Sequence, residues 1–312
     1  MSYDIQRLCK ENIGDVGRIH ESIYKRKLPL ESLQKKYDTR YLGSEYCGYL
    51  AYFEGKPVSF CGFIPVASNW GDKVEISAQS MDIMTVSRHE RKGLFSLLTH
   101  KTFDLAKEMG ITFIWGFGTD VSKRVLIEKL GFNCDEHVQG YRFFAHKRWL
   151  DKLLVKAPFI RSITEERTRR ILQQYSTDKP FQGSLQTMTD CPIIARTPDY
   201  FRYKSFSTAF FIELESVLFW IKLHPHHGIM IGDIEATSEE QLRRGILAFK
   251  ELANHHGLGA FIFQTIPGTP VGKIAAELAD ETFPSWALCY RSLSSEFPLE
   301  KLKVTWGDLD TF

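Results

Sequence analysis

Apolar residues in the first half of the chain change their period at a basic turn. Val74, Ile76, Ala78, Met84 and Val86 fall at even spacing, the period of a half-buried strand. Beyond the turn, Leu94, Leu97, Leu98, Leu105 and Met109 recur at helical spacing, which predicts a helix over 92–109 that lays one stripe on a sheet. Upstream, Ile5 opens a strand, 12–25 and 30–41 read as helices, and 46–53 with 58–66 read as a hairpin turning at Gly55-Lys56. Downstream, 111–116 reads as a buried strand, 121–130 as a helix leaving through Gly131, and 133–145 as closing strands.

After a polar, helix-prone segment that includes Arg161 to Arg170, the same order returns. A hairpin is predicted at 209–215 and 217–223, then a strand at 228–236 and a helix at 237–255 with Leu242, Ile246 and Phe249 on one face. A strand at 259–263, a short helix at 269–278, and a closing pair at 283–291 and 302–306 complete the set. The second half therefore reads as a degenerate copy of the first. The expected organisation is a first domain over 1–148, a helical linker over 149–190 and a second domain over 191–312, of mixed α/β (α+β) class.

The turn between strand and helix suits an anion. The first amides of a helix have no partner inside it and its dipole makes that end partly positive. Gly93 lets a ligand approach the backbone, and Arg88, Arg91 and Lys92 add charge. At the matching place in the second half stand Thr237, Ser238, Glu239 and Glu240. There Thr237 and Glu240 have capping-box spacing and the carboxylates would repel phosphate.

The run Glu90-Arg91-Lys92-Gly93-Leu94-Phe95, followed by a strand and a helix ending Glu128-Lys129-Leu130-Gly131-Phe132, resembles the GNAT superfamily of acyl-coenzyme A-dependent N-acetyltransferases. The family signature is Arg/Gln-x-x-Gly-x-Gly/Ala, from which Glu90 and Phe95 depart. The resemblance implies two tandem GNAT-like domains, each a mixed, mostly antiparallel sheet flanked by helices, with the first one active. It implies acetyl-coenzyme A as cosubstrate, held by Ile83, Met84 and Thr85 along the fourth strand, by Arg91, Lys92, Gly93, Leu94, Phe95 and Ser96, and by Asp120 and Lys123 at the later helix start.

Direct transfer of the acetyl group to an amine of a small molecule or amino sugar is the implied reaction. Asp82, the late carboxylate on the fourth strand, is placed where the family holds a general base, and a carboxylate that points outward or bonds an edge amide is the equal alternative. Ile127 occupies the family's usual general-acid position and has no proton to give, so Tyr141 becomes the expected acid, with water as the alternative. Ordinary capping and solvation explain Asp120, Ser122 and Lys123 equally well. In some two-domain relatives the chain end enters the active site, which makes the Phe312 carboxylate a candidate, with an ordered surface tail over 306–312 as the equal alternative. The rival readings are a catalytically silent coenzyme A-binding or sensor protein, and an aminoacyl-tRNA-dependent transferase of similar two-domain outline.

Composition narrows the partners. The 312 residues carry a formal charge of +2, with 43% hydrophobic and 13% aromatic content, enough for packed cores and no bulk attraction to nucleic acid or anionic membrane. With no apolar run for a span and no leader pattern, a cytoplasmic protein is expected. Cys9, Cys47, Cys61, Cys134, Cys191 and Cys289 lack paired spacing, which argues against a disulfide framework and against a zinc site. His224-Pro225-His226-His227 reads as a hairpin turn rather than a metal tract. Exposed sheet edges make a homodimer an expectation.

Overall fold

The computed structural model describes residues 2–144, 158–224 and 228–312. The first half runs β1 (Asp4–Arg7), α1 (Ile13–Tyr24), α2 (Leu30–Tyr37), β2 (Gly48–Phe53), β3 (Lys56–Trp70), β4 (Lys73–Thr85), α3 (Leu94–Glu108), β5 (Phe113–Gly118), α4 (Asp120–Leu130) and β6 (Asn133–Phe143). Then follow α5 (Pro158–Gln173), α6 (Ser184–Met188), β7 (Ile193–Ile194), α7 (Pro198–Lys204), β8 (Phe210–Leu214), β9 (Val217–His224), β10 (Gly228–Glu235), α8 (Glu239–His256), β11 (Phe261–Thr265), α9 (Pro270–Leu278) and β12 (Glu281–Ser292). The predicted turn at His226 and His227 lies outside the described residues.

These elements form two compact units, and neither is continuous in sequence. Unit 1 consists of Met1–Asp135, Asp199–Phe206 and Ala287–Glu300; unit 2 consists of Glu136–Pro198, Ser207–Trp286 and Lys301–Phe312. The contiguous segments expected from the sequence do not describe this division. Residues 287–292 of β12 pair antiparallel with β5 in unit 1, and residues 139–143 of β6 pair antiparallel with β11 in unit 2. Each unit thus takes its closing strand from the other half of the chain.

Unit 1 orders its strands β1-β2-β3-β4-β5-β12, antiparallel except where β4 meets β5. Helix α3 buries Leu94, Leu98, Phe103, Leu105 and Ala106 against the sheet. Two residues of the predicted apolar stripes fall outside the core. Leu97 is 44% exposed, at the edge of the helix face, and Val74 is 66% exposed because the β3–β4 hairpin ends at Trp70 and Lys73 beyond any covering helix. The even spacing also breaks within β4. Phe60 pairs with Met84 and Gly62 with Met81, so β4 has one residue more than its partner over that stretch, a bulge that contains Asp82.

Cys134 and Cys289 are joined by a disulfide within unit 1, although 155 positions separate them. This corrects the expectation drawn from the cysteine spacing. Spacing carries no signal when the partners sit on strands from opposite halves of the chain. Cys9, Cys47, Cys61 and Cys191 are free thiols.

Unit 2 orders its strands β6-β11-β10-β9-β8, with β10 and β11 parallel. Its core joins Tyr141, Phe143, Phe219, Phe249, Phe261 and Phe263, covered by the face of α8 that carries Leu242, Ile246 and Phe249. The strand expected at 302–306 is absent. Only an isolated bridge from Thr265 to Thr305 forms there, because Asp308 caps the backbone of Thr305 at 2.7 Å and turns the chain. No helix among the described residues is long and apolar enough to cross a membrane.

Candidate active site

The site begins where β4 ends. Ser87–His89 form one turn of 3-10 helix, and Arg91 and Gly93 both adopt left-handed backbone, at φ 59° and 81°. For Gly93 this conformation costs little, and it places a residue without a side chain at the N-cap of α3. No side chain caps the first amides of this helix, whose first turn holds no acidic residue. Leu94 is buried and Phe95 packs against the unit 1 core, so the large residue that departs from the family pattern points inward. Glu90, the other departure, is exposed along with Arg88, Arg91 and Lys92.

The starts of α4 and α8 make the contrast, while α1 and α2 also lack a side-chain cap but carry Asp15 and Glu31 in their first turns. In α4, Thr119 and Ser122 form a reciprocal capping box. In α8, the N-cap is Ser238 rather than Thr237: Ser238 accepts from the Gln241 amide at 3.1 Å, and Gln241 reaches back to the Thr237 amide at 2.7 Å. Glu239 and Glu240 fill the first turn. Self-satisfied amides and carboxylates leave α8 nothing to offer an anion.

Backbone edges form the second part of the site. β4 and β5 pair only through Ser77 with Phe113, Ala78 with Ile114 and Gln79 with Trp115. Gly116 marks the parting point, since a Cβ there would lie 2.9 Å from the Ser80 carbonyl oxygen. Past it, Gly116–Gly118 remain paired to β12 and Met81, Met84 and Thr85 side with β3, so the facing edges of the two strands splay into a wedge. On the β3 side Ser59 donates to the Met84 carbonyl at 2.9 Å and meets the Thr85 hydroxyl at 2.8 Å, which steadies this stretch. Ile83 packs on the cluster of Ala51, Val58, Leu94 and Leu98.

Asp82 holds the bulge, with φ of 50°. Lys36 Nζ donates to its Oδ2 at 2.7 Å and the Tyr37 hydroxyl donates to the same oxygen at 2.8 Å. Burial pushes the carboxyl up, but the Lys36 ammonium, the two hydrogen bonds and nearby His20 outweigh it and hold Asp82 below the ordinary aspartate value. A carboxylate so stabilised is a weak base, which works against the general-base role expected from its position. Lys36 and Tyr37 escaped sequence reasoning because 46 and 45 positions separate them from Asp82. Tyr203 from α7 adds to this corner, donating to the Lys36 carbonyl at 2.6 Å and stacking on Tyr41 with ring centroids 5.3 Å apart.

The remaining expected residues are distributed as follows. Asp120 opens α4, and Lys123 lies half-buried in its first turn, where its amide donates to the Thr119 carbonyl at 2.8 Å. Ile127 is 44% exposed on α4. Tyr141 belongs to unit 2, inside whose core it is fully buried, with its ring stacked on Phe263 and its hydroxyl without a hydrogen-bond partner. Burial pushes that phenol up to about 12. Within unit 2 its apolar surroundings offer the phenol proton no acceptor. The Phe312 ring is likewise part of unit 2, packed on Trp220 at 4.8 Å. Among the described residues no cluster of His, Cys, Asp or Glu is arranged to hold a metal ion.

No family model matches the sequence, and no curated protein does. Solved structures do. A GCN5-related N-acetyltransferase from Kribbella flavida is similar over 94% of this chain and 72% of its own, with a TM-score of 0.63 at 12% identity. A conserved protein of unknown function from Enterococcus faecalis, described as a probable N-acyltransferase, gives 0.63 at 9% identity over 96% and 75%. The N-myristoyltransferase of Saccharomyces cerevisiae with bound myristoyl-CoA gives 0.55 at 10% identity over 94% and 84%. Identities this low speak for architecture. With the splayed parallel pair, the glycine at the uncapped helix start and the similarity over nearly its whole length, this chain has the fold of the GCN5-related N-acetyltransferases.

Proposed function

We propose that the protein is an acyl-coenzyme A-dependent N-acyltransferase whose cosubstrate binds unit 1. The observation that carries this reading is the difference between helix starts: α3 presents uncapped amides behind Arg91, Lys92 and Gly93, whereas α4 and α8 are satisfied by their own side chains. A pyrophosphate fits the first and is repelled by the last. The pantetheine arm would add to the wedge as a short strand, taking hydrogen bonds from the backbone of Ile83 to Thr85. An acetyl donor and a small amine or amino sugar as acceptor remain our choice within this class.

In the reaction the amine nitrogen forms a bond to the thioester carbonyl carbon, the carbon–sulfur bond breaks, and the amine proton leaves. Asp82 orients the amine and water takes the proton, because the Lys36-bound carboxylate is too weakly basic. Water also protonates the departing thiolate, since Ile127 has no proton to donate. That same Ile127 favours a second reading, a coenzyme A-binding protein without turnover.

Calorimetry with acetyl-coenzyme A tests the proposal, comparing the native protein with Arg91→Ala/Lys92→Ala/Gly93→Asp. Saturable binding lost in the variant is the expected result, and thiol release on adding amines then separates the enzyme from the silent binder. No binding to the native protein overturns both readings.

A further inference from the structure

Two features of unit 1, one on the β4 bulge that Lys36 of α2 holds and one in the connection between α1 and α2, have no role in holding coenzyme A. The first is the second oxygen of Asp82. Both Lys36 and Tyr37 donate to Oδ2, and Oδ1 is neither hydrogen-bonded nor a buried unsatisfied atom. A carboxylate offers about four acceptor positions, so Oδ1 remains free to take an N–H. Because Lys36 already balances the charge of Asp82, this oxygen holds an amine without a full ionic attraction to it.

The second feature is the connection between α1 and α2. Lys25, Arg26 and Lys27 are consecutive and exposed, and no carboxylate among the described residues pairs with any of them. The neighbouring cations are all spoken for: Arg18 pairs with Asp15, Lys35 with Glu31 and Lys36 with Asp82. Glu21 lies one turn earlier on α1, and its carbonyl accepts from the Lys25 amide at 3.0 Å. The turn is held in place. His20 meets the Arg26 carbonyl at 2.9 Å and packs at a tilt against exposed Tyr24 with centroids 4.7 Å apart. Lys25 Nζ donates to the Ser22 carbonyl at 2.8 Å, and Lys25 takes left-handed backbone at φ 56°. A Cβ at Gly14 would meet Leu30 and one at Gly17 would meet Leu33, so α2 runs alongside α1 and brings Lys36, which holds Asp82, level with His20, whose ring meets the Arg26 carbonyl.

We propose that the acceptor is an amine bearing an anionic group, a carboxylate or a phosphate, with Asp82 Oδ1 taking the amine N–H and the Lys25–Arg26–Lys27 turn taking the anion. This rests on the acyltransferase reading above. Locally the pair of Asp82 and Lys36 contributes no net charge, so attraction for the acceptor comes from the turn. A neutral alkylamine meets only the Asp82 oxygen, and a diamine is repelled. An amine that also carries an anion satisfies both ends.

The test uses the full chain with acetyl-coenzyme A and reads thiol release from three acceptor series of matched chain length: alkylamines, ω-amino carboxylates and aminoalkyl phosphates. Calorimetric binding of acetyl-coenzyme A is measured first; its absence fails the acyltransferase reading itself, and the acceptor proposal with it. Given binding, at least one anionic series is expected to exceed the alkylamines in kcat/KM by about tenfold or more, the worth of one charge-assisted contact. Which series wins distinguishes carboxylate from phosphate. In Lys25→Ser/Arg26→Ser/Lys27→Ser that ratio should collapse toward one through KM, and in Lys25→Glu/Arg26→Glu/Lys27→Glu it should invert. Alkylamines turned over as well as the anionic series, turnover of neither by a protein that binds acetyl-coenzyme A, or a ratio unmoved in both variants would each overturn it.

Discussion

Arg196 Nη1 stands 2.7 Å from Asp308 Oδ1 inside unit 2, in a pair whose side chains are 4% and 1% exposed. Asp233 closes on the same guanidinium at 3.5 Å, and the Trp220 ring lies 5.3 Å from its carbon. Two buried carboxylates thus share one cation. Ser184 donates to Asp233 at 2.7 Å and the Ile234 amide at 2.8 Å, which fixes the carboxylate on β10.

That arrangement predicts an acid-side gain in stability. Burial pushes the Asp233 carboxyl up from 3.8 to about 6, against the opposing pull of Arg196 and Ser184 and with help from Asp308. Between those values the folded state binds the proton and the unfolded chain does not, so stability falls as pH rises through the window and stays lower above it. The span corresponds to on the order of 2–3 kcal/mol. Urea midpoints measured across that window for the native protein and Asp233→Asn should show this slope in the first and not in the second; parallel curves would refute it.

At the candidate site the sign is opposite. Asp82 is held below its ordinary 3.8, so the stability it contributes is complete above that pH and is lost as the pH falls through the folded value. Lys36→Met leaves the half-buried carboxylate with Tyr37 alone and should cost about 1–3 kcal/mol at neutral pH. The difference from the native protein should shrink in acid, where both forms lose the charge. Denaturant titrations at neutral pH and near pH 3 check the pair, and a constant difference would show that Lys36 acts by packing.

Gly116 sits where β4 and β5 separate. An alanine there puts its Cβ 2.9 Å from the Ser80 carbonyl oxygen, a backbone atom with little room to retreat. Gly116→Ala should cost about 1–3 kcal/mol in chemical denaturation. Gly268→Ala, whose Cβ would meet nothing within 4 Å, should be close to neutral.

Elements with a steady period were legible in the sequence: α3, β5, α4, α8 and α9 fall within a few residues of their predicted spans. So was the basic turn, because a glycine after Arg91-Lys92 at a strand-to-helix junction has a local cause. The bulge at Asp82 was not, since one extra residue in β4 leaves the hydrophobic pattern readable on either side of it. The Lys36–Asp82 contact, the Cys134–Cys289 bond and the Arg196 pairings join distant positions, and a pattern read along the chain has no term for them. The tail after Leu302 was mistaken for a strand because its apolar residues, Leu302, Val304 and Trp306, alternate while the capping aspartate that turns it lies beyond them.

The exchange of closing strands sets a schedule for biosynthesis. On the ribosome, β1 to β5 emerge long before residues 287–292, so the outer edge of β5 must wait unpaired, and Cys134 without its partner, until those residues follow. A fragment ending after β6 would carry that bare edge permanently. Unit 1 is therefore not a module that residues 1–143 could supply to a fusion by themselves, and chaperone protection during translation should matter more for this protein than its size suggests.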